Sequence, residues 1–313
     1  MITAQSTNTL LLVRPANFGF NVQTAVNNAF QTKTENSELQ KYALKEFDKL
    51  VETLIAAKVN PIVVNDEAHP QLPDSVFPNN WFSTHSDGSL CLYPMFAENR
   101  RLERKNNIIE MLKSRFEIKN IFDFTHYEQQ NRFFEGTGSV VLDRVGCIAY
   151  ACLSPRTDEA ILADFCEKLK FKKCSFHAMF GDKEIYHTNV MLSIADKYAI
   201  ICTKSISNSS ELKNIIEHLL STNKEIIEIS IEQMQHFAGN MLQISNRNGE
   251  NILAMSAQAY KSLNAEQIKK IERYNNILYS DIKTIETAGG GSLRCMLAEI
   301  FFENKSEYNQ LES

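Results

Sequence analysis

One short motif recurs five times along the 313 residues, and that recurrence leaves few architectures open. A small polar residue leads into an apolar stretch in FPNNWFS (77–83), FEGTGSVVL (134–142), YHTNVMLSI (186–194), FAGNMLQIS (237–245) and GGGSLRCML (289–297). Aligned on Asn80, Ser139, Asn189, Asn240 and Ser292, the steps are 59, 50, 51 and 52 residues. Self-similarity at a period of this length marks units that cannot bury their own sheet face and share one core. Behind each of the first four anchors come the motif strand, a turn and a second apolar strand: LCLYP (90–94), GCIAYA (146–151), YAIIC (198–202) and NILAM (251–255). A helix then follows, with apolar residues at three-and-four spacing. The first stripe is Leu102, Ile108, Ile109 and Leu112. The second is Ile161, Leu162, Phe165 and Leu169 behind a Thr157 N-cap, and the third is Leu212, Ile215, Ile216 and Leu219 behind Ser209–Ser210. The fourth, Ile268, Ile271 and Tyr274, follows an Asn264-to-Gln267 capping box. A short strand closes each unit, for example EIIEIS (225–230) or NILYS (276–280).

The fifth motif has no helix after it, but the N-terminal residues hold the missing parts. These are a strand LLLV (10–13), a helix over 38–58 and a strand PIVV (61–64). The expected fold is α/β: a five-bladed, pseudo-symmetric propeller of ββαβ units, its ring closed by the N-terminal strand joining the C-terminal blade. Residues 1–313 then form a single domain. A doubly wound sheet, the common alternative for alternating strands and helices, lacks these paired strands.

Composition narrows the function class. The chain is 43% hydrophobic and 23% charged with net charge −5, which suits a globular protein and carries no basic footprint for nucleic acid. No apolar run approaches the ~20 residues of a membrane span, and MITAQSTNTLLLV lacks the basic start of a signal peptide. Seven cysteines without CxxC or Cys/His spacing fit neither a zinc site nor a full disulfide set, and point to a reducing, cytoplasmic setting. No metal or cofactor is expected; a homodimer is left open. The polar stretch 14–37 is long for a strand-to-helix connection and reads as a lid with Phe18 or Asn21 as contacts, the plain alternative being an exposed loop. Residues 303–313 read as a frayed tail.

In a ring, matching motif positions surround one central cavity, so residues that break the pattern are the candidates for chemistry. These are Asn79 and Asn80, Glu135, His187 and Asn189, and Cys295. A thiol, an imidazole, a carboxylate and amides suffice for covalent attack on a trigonal carbon. Cys295 follows Gly289-Gly290-Gly291-Ser292, where the backbone can approach a ligand and aim N–H groups at developing charge. A buried structural cysteine is the common alternative, and the other six, in apolar contexts, fit it. A lone His at a strand start is most often structural, and Asn residues most often serve turns.

The five pseudo-repeats, Glu135-Gly136, the His187-Thr188-Asn189 triplet and the run Gly289 to Cys295 resemble the guanidino-group-modifying pentein superfamily. Its members include arginine deiminases, dimethylarginine hydrolases and amidinotransferases. The resemblance implies Cys295 as nucleophile, His187 as general acid/base and Glu135 as holder of substrate nitrogen. It implies Arg156, in LSPRT, as the grip on a substrate carboxylate, with Arg100 or Arg101, in ENRRLE, as a second one. Read alone, Arg100 and Arg101 equally suit a solvated helix face.

Guanidine-hydrolysing members usually carry carboxylates where this chain has Asn80 and Asn189. Two acids suit a guanidinium, which only donates hydrogen bonds; amides suit a neutral ureido group, which both donates and accepts. RPANFGFN and YPMFAENRR also look like the citrulline ureidase branch. The expected reaction is therefore hydrolysis of L-citrulline to L-ornithine, ammonia and carbon dioxide through an S-carbamoyl cysteine. The alternatives are arginine deiminase, dimethylarginine hydrolase or amidinotransferase chemistry on a guanidino substrate, and a non-catalytic binding protein of the same fold.

Overall fold

The structure is a computed structural model and describes residues 4–33 and 37–305. It contains five three-stranded sheets of one topology, together with a two-stranded hairpin. In each, a short strand pairs antiparallel with a second, which pairs parallel with a third reached through a helix. The first four sheets join Phe82–Thr84, Ser89–Leu92 and Asn120–Asp123; Val141–Asp143, Ile148–Cys152 and Lys172–Phe176; Leu192–Ile194, Tyr198–Ile201 and Glu225–Glu228; and Leu242–Ser245, Asn251–Ser256 and Asn276–Ser280. The fifth is assembled from both ends of the chain. Thr9–Arg14 pairs antiparallel with Ala298–Glu299 and parallel with Asn60–Asn65. The order of strands within a unit and the borrowing by the last unit are thus as expected from the repeats.

The helices follow their apolar periodicity. Leu39–Ala56 buries Ala43, Phe47, Leu50 and Leu54, which join Leu10, Leu12, Leu278 and Ile285 in one cluster. Full burial of one such side chain contributes about 1.5–3 kcal/mol. Ala265–Glu272 carries the expected capping box, Asn264 with Gln267. Two details differ. The cap of Glu159–Leu169 is Asp158, not Thr157, because the carboxylate of Asp158 accepts from the N–H groups of Ala160 and Ile161. The stripe through Leu102 breaks: Glu98–Arg101 and Asn106–Arg115 are separate helices and Leu102 is exposed. Among the described residues no helix is long and apolar enough to cross a membrane. The seven cysteines are free. Of the expected frayed tail, 306–313 lie outside the described residues, as do 34–36 of the expected lid.

Asn80, Ser139 and Asn189 lie on single helical turns ahead of their strands, Pro78–Asn80, Gly136–Ser139 and Thr188–Val190, and Ser292 caps a fourth such turn, Leu293–Met296. The turn at 136–139 touches those at 78–80 and 188–190, and the turn at 78–80 touches that at 293–296. This convergence is what gathers polar side chains from distant parts of the sequence. It depends on Gly136, whose φ of +49° disfavours a side chain and whose added Cβ would lie 2.9 Å from the backbone oxygen of Asn80 and closer still to that of Asn79. Gly136→Ala is expected to destabilise by roughly 2–4 kcal/mol, from left-handed strain plus overlap with backbone that cannot give way. Urea unfolding checks this; a change under about 0.5 kcal/mol would mean that the turn is not rigid.

Candidate active site

Cys295 sits on the turn Leu293–Met296, just beyond the helix Lys283–Gly289, and is 4% exposed. Two amides face its sulfur: Asn189 Nδ2 at 3.4 Å and Asn240 Nδ2 at 3.3 Å. Asn240 is held by accepting the Arg294 N–H and by donating to the Asn189 carbonyl. The Gly290 N–H is spent on the Glu286 carbonyl as the helix ends, so it is not free to stabilise an oxyanion.

Glu135 is fully buried. Its Oε1 accepts the Phe96 N–H and its Oε2 lies 2.8 Å from His187 Nε2, 3.5 Å from Arg156 Nη1 and 4.0 Å from Arg100 Nη1. Burial pushes this carboxyl up, but Arg156, His187 and Arg100 together outweigh it and hold the group well below the usual carboxylate range. Burial drives the His187 imidazole down to about 4, against the pull of Glu135. The pair is therefore carboxylate and neutral imidazole at pH 7. An ionised Glu135 only accepts, so His187 carries its proton on Nε2, and Nδ1 is the free basic nitrogen. That nitrogen converges with Asn80 Nδ2 over Gly138, where a Cβ would lie 2.6 Å from each.

Arg100 is 2% exposed and forms a forked pair with Glu103, with Nε and Nη2 each 2.9 Å from a carboxylate oxygen. Its Nη1 donates to Asn80 Oδ1 at 2.9 Å. This fixes the Asn80 amide: the oxygen faces the guanidinium, and Nδ2 is left buried without a partner among the described residues. Arg156 donates to Asn27 Oδ1 and to the Thr24 carbonyl, and its guanidinium lies over the Tyr186 ring at 4.9 Å.

A small cavity of about 20 Å³ joins Asn80, Arg100, Arg156, His187, Gly289, Gly290, Gly291 and Cys295. Other expected residues stand elsewhere. Arg101 turns away, donating to the Met95 carbonyl and lying over Phe133, so of the neighbouring arginines it is Arg100 that enters the cavity wall. Asn79 is buried outside the wall, donating to Thr137 Oγ1. Asn189 stands at the sulfur rather than in the wall.

Sequence reasoning missed Asp74, which lines the cavity. Its Oδ2 accepts from Asn21 and Thr24 while Oδ1 is buried without a partner among the described residues. Burial raises its pKa, with Arg100 opposing. A carboxylate next to Val76 and Phe77 was the available signal. Asn240 was visible as the fourth anchor but passed as a turn residue. The segment before residue 33 lies across the cavity: Phe18 and Asn21 are buried, and Gln31 donates to the Ala288 carbonyl.

The profile of the family described as N,N dimethylarginine dimethylhydrolase, eukaryotic, matches residues 14–302. The chain belongs to this family. Dimethylarginine dimethylhydrolases lie within the guanidino-modifying, amidinotransferase-like superfamily, and the chain is accordingly a thiol-dependent hydrolase of C–N bonds. A cysteine-to-serine variant of the family's enzyme from Pseudomonas aeruginosa, complexed with citrulline, is similar with TM-score 0.65 at 16% identity, over 94% of this chain and 100% of its own. The N-terminal domain of ArgZ, an arginine dihydrolase from the ornithine-ammonia cycle in cyanobacteria, gives TM-score 0.73 at 16% identity over 93% and 97%. AgrE complexed with L-arginine gives 0.75 at 16% identity, covering 96% of this chain but 41% of AgrE, so the chain spans about two-fifths of that longer protein. At these identities the likeness shows a mixed α/β fold shared with these three proteins. No curated protein matches in sequence.

Proposed function

We propose that this family member hydrolyses the ureido group of L-citrulline, giving L-ornithine, ammonia and carbon dioxide. The observation that carries this reading is the Asn80 amide. With its oxygen committed to Arg100, it offers the cavity an unpartnered N–H donor beside the basic nitrogen of His187. A ureido carbonyl accepts from that donor, whereas a guanidinium has only donors and would set N–H against N–H. A mismatched buried polar pair costs about 1–3 kcal/mol.

In this mechanism Arg156 and the unpaired oxygen of Asp74 receive the α-carboxylate and α-ammonium, and Glu135 and Asn80 orient the ureido group. The Cys295 sulfur attacks the ureido carbon while His187 Nδ1 takes the thiol proton. The C–N bond to the ornithine side chain then breaks as His187 protonates that nitrogen. Water, activated by the same nitrogen, attacks the S-carbamoyl group; the C–S bond breaks, and the carbamate released decomposes to ammonia and carbon dioxide. A ureido carbon is a weak electrophile, so positioning and proton delivery supply much of the acceleration. Asn189 and Asn240 steady the sulfur. The segment 14–33 acts as a lid that opens for substrate, and the whole chain works as one catalytic domain. We read the five sheets as blades around one axis, a reading supported by their common topology and by contacts of the strand at 192–194 with those at 141–143 and 242–245.

A guanidino substrate is the second reading. It is favoured by ionised Glu135 and by Asp74, acceptors that suit a cation, and by the arginine bound to AgrE. Product analysis separates the two. Wild type and Cys295→Ala are incubated with L-citrulline or L-arginine, and ornithine, citrulline and ammonia are quantified. Ornithine from citrulline, absent in the variant, is the expected result; turnover of arginine alone would overturn the ureido reading. Asn80→Asp exchanges the free donor for an acceptor, and kcat/KM for citrulline is expected to fall at least about tenfold. An unchanged value would remove the argument from the amide.

A further inference from the structure

A second, small cavity of about 30 Å³ is lined by Asn189, whose Nδ2 faces Cys295, and by Arg144, Arg294 and Glu299. All four are more than nine-tenths buried. Glu299 is the single acid in this wall, and it is committed mainly to Arg294: Arg294 Nη2 lies 3.0 Å from Glu299 Oε2, while Arg144 Nη2 stands at 3.8 Å. Arg144 has one side-chain hydrogen bond among the described residues, Nη1 to His85 Nδ1 at 3.4 Å, and its guanidinium lies over the Phe301 ring at 3.9 Å. His85 does not alter the charge, since burial and then Arg144 drive its pKa well down and keep it neutral. The neighbouring Asp143 is matched by buried Lys224 at 3.2 Å. Two guanidiniums thus share one carboxylate.

Arginine does not deprotonate in proteins, and an uncompensated buried cation is strongly unfavourable. Four of the five N–H donors of Arg144 have no close protein acceptor among the described residues. Asn189 Oδ1, 1% exposed and also in this wall, has no partner either and awaits a donor. Gln5 spans one side, donating to the Leu142 and Ile194 carbonyls and accepting the Arg144 N–H, so the wall is built rather than incidental.

We infer that this cavity binds a small monovalent anion, of chloride to bicarbonate size, whose charge completes the Arg144–Arg294–Glu299 cluster. The anion comes either from solution, as a halide, or as a carbonate-class species released by hydrolysis. The second source has an O–H or N–H that Asn189 Oδ1 can accept. The site itself rests on charge and burial alone, whereas the reaction-derived source rests on the ureido reading proposed above.

The test uses the whole protein dialysed into gluconate, an anion too bulky for the cavity, with ionic strength held constant. Sodium chloride or sodium bicarbonate is then substituted stepwise while the thermal midpoint is read. A saturable rise is expected, on the order of 5 °C at a hundred times the half-saturating concentration. Saturation at lower bicarbonate than chloride marks the reaction-derived source; the reverse marks the halide. Arg144→Gln is expected to abolish the saturable response. Glu299→Gln, which adds a unit of unmatched positive charge, is expected to lower the half-saturating concentration about tenfold, and it decides the matter if Arg144→Gln does not fold. A wild-type response that is absent or unsaturable, or half-saturation unchanged in Glu299→Gln, would overturn the inference.

Discussion

Cys295→Ser is expected to lower kcat by at least about 10³-fold while leaving KM within a few-fold. A serine hydroxyl in the same place is a much weaker nucleophile, and nothing among the described residues would activate it as strongly as a thiol is activated. Arg156, Asp74 and Asn80, the groups assigned to hold substrate, are untouched. The sulfur is buried and meets two amides, so one smaller atom of the same geometry disturbs packing little. The thermal midpoint is expected to stay within a few degrees, which separates lost chemistry from lost fold. A variant with more than about a tenth of wild-type turnover would show that another group attacks the substrate.

The second large effect is expected for the His187–Glu135 pair. His187→Asn removes the base and acid and is expected to lower kcat by about 10²–10⁴-fold. Glu135→Gln keeps the shape but loses the charge that fixes the His187 tautomer and faces both Arg156 and Arg100. Its kcat is expected to fall comparably, with a loss of stability, because two buried guanidiniums lose a counter-charge. Burial keeps His187 neutral down to about 4, so the base form is lost only as pH falls through that value. The wild-type kcat/KM is therefore expected to stay level from pH 7 to pH 5.5. An imidazole near its ordinary value of ~6.5 would instead give a drop of several-fold over that interval. Measuring kcat/KM across this range checks the assignment.

The periodic features were legible from the residues. The spacing of Asn80, Ser139, Asn189, Asn240 and Ser292 anticipated repeating three-stranded sheets, and the missing helix after 289–297 anticipated the pairing of Thr9–Arg14 with Ala298–Glu299. Both rest on patterning that the backbone must respect. Of the expected site residues, Cys295, His187, Glu135, Asn80, Arg100 and Arg156 gather in or at one cavity, whereas Arg101, Asn79 and Asn189 stand outside its wall. Orientation was not legible. Nothing in ENRRLE distinguishes Arg100, paired with Glu103, from Arg101, which faces Phe133; that is decided by where the helix Glu98–Arg101 ends. Asp74 lies in a loop without periodicity, and its role comes from contacts with Asn21 and Thr24, some fifty residues away in the chain. The direction of the Asn80 amide likewise depends on a partner twenty residues on.

The central claim is that Cys295 takes the carbamoyl group from a ureido carbon, and the most direct measurement is to see that group on that sulfur. The protein is mixed with L-citrulline carrying ¹³C at the ureido carbon, quenched in acid within the first turnovers, digested and analysed by mass spectrometry. The account predicts a labelled carbamoyl group on the peptide containing Cys295, absent in Cys295→Ser and decaying as ornithine accumulates. Ornithine formed with no label on Cys295, or label on another residue, would contradict it.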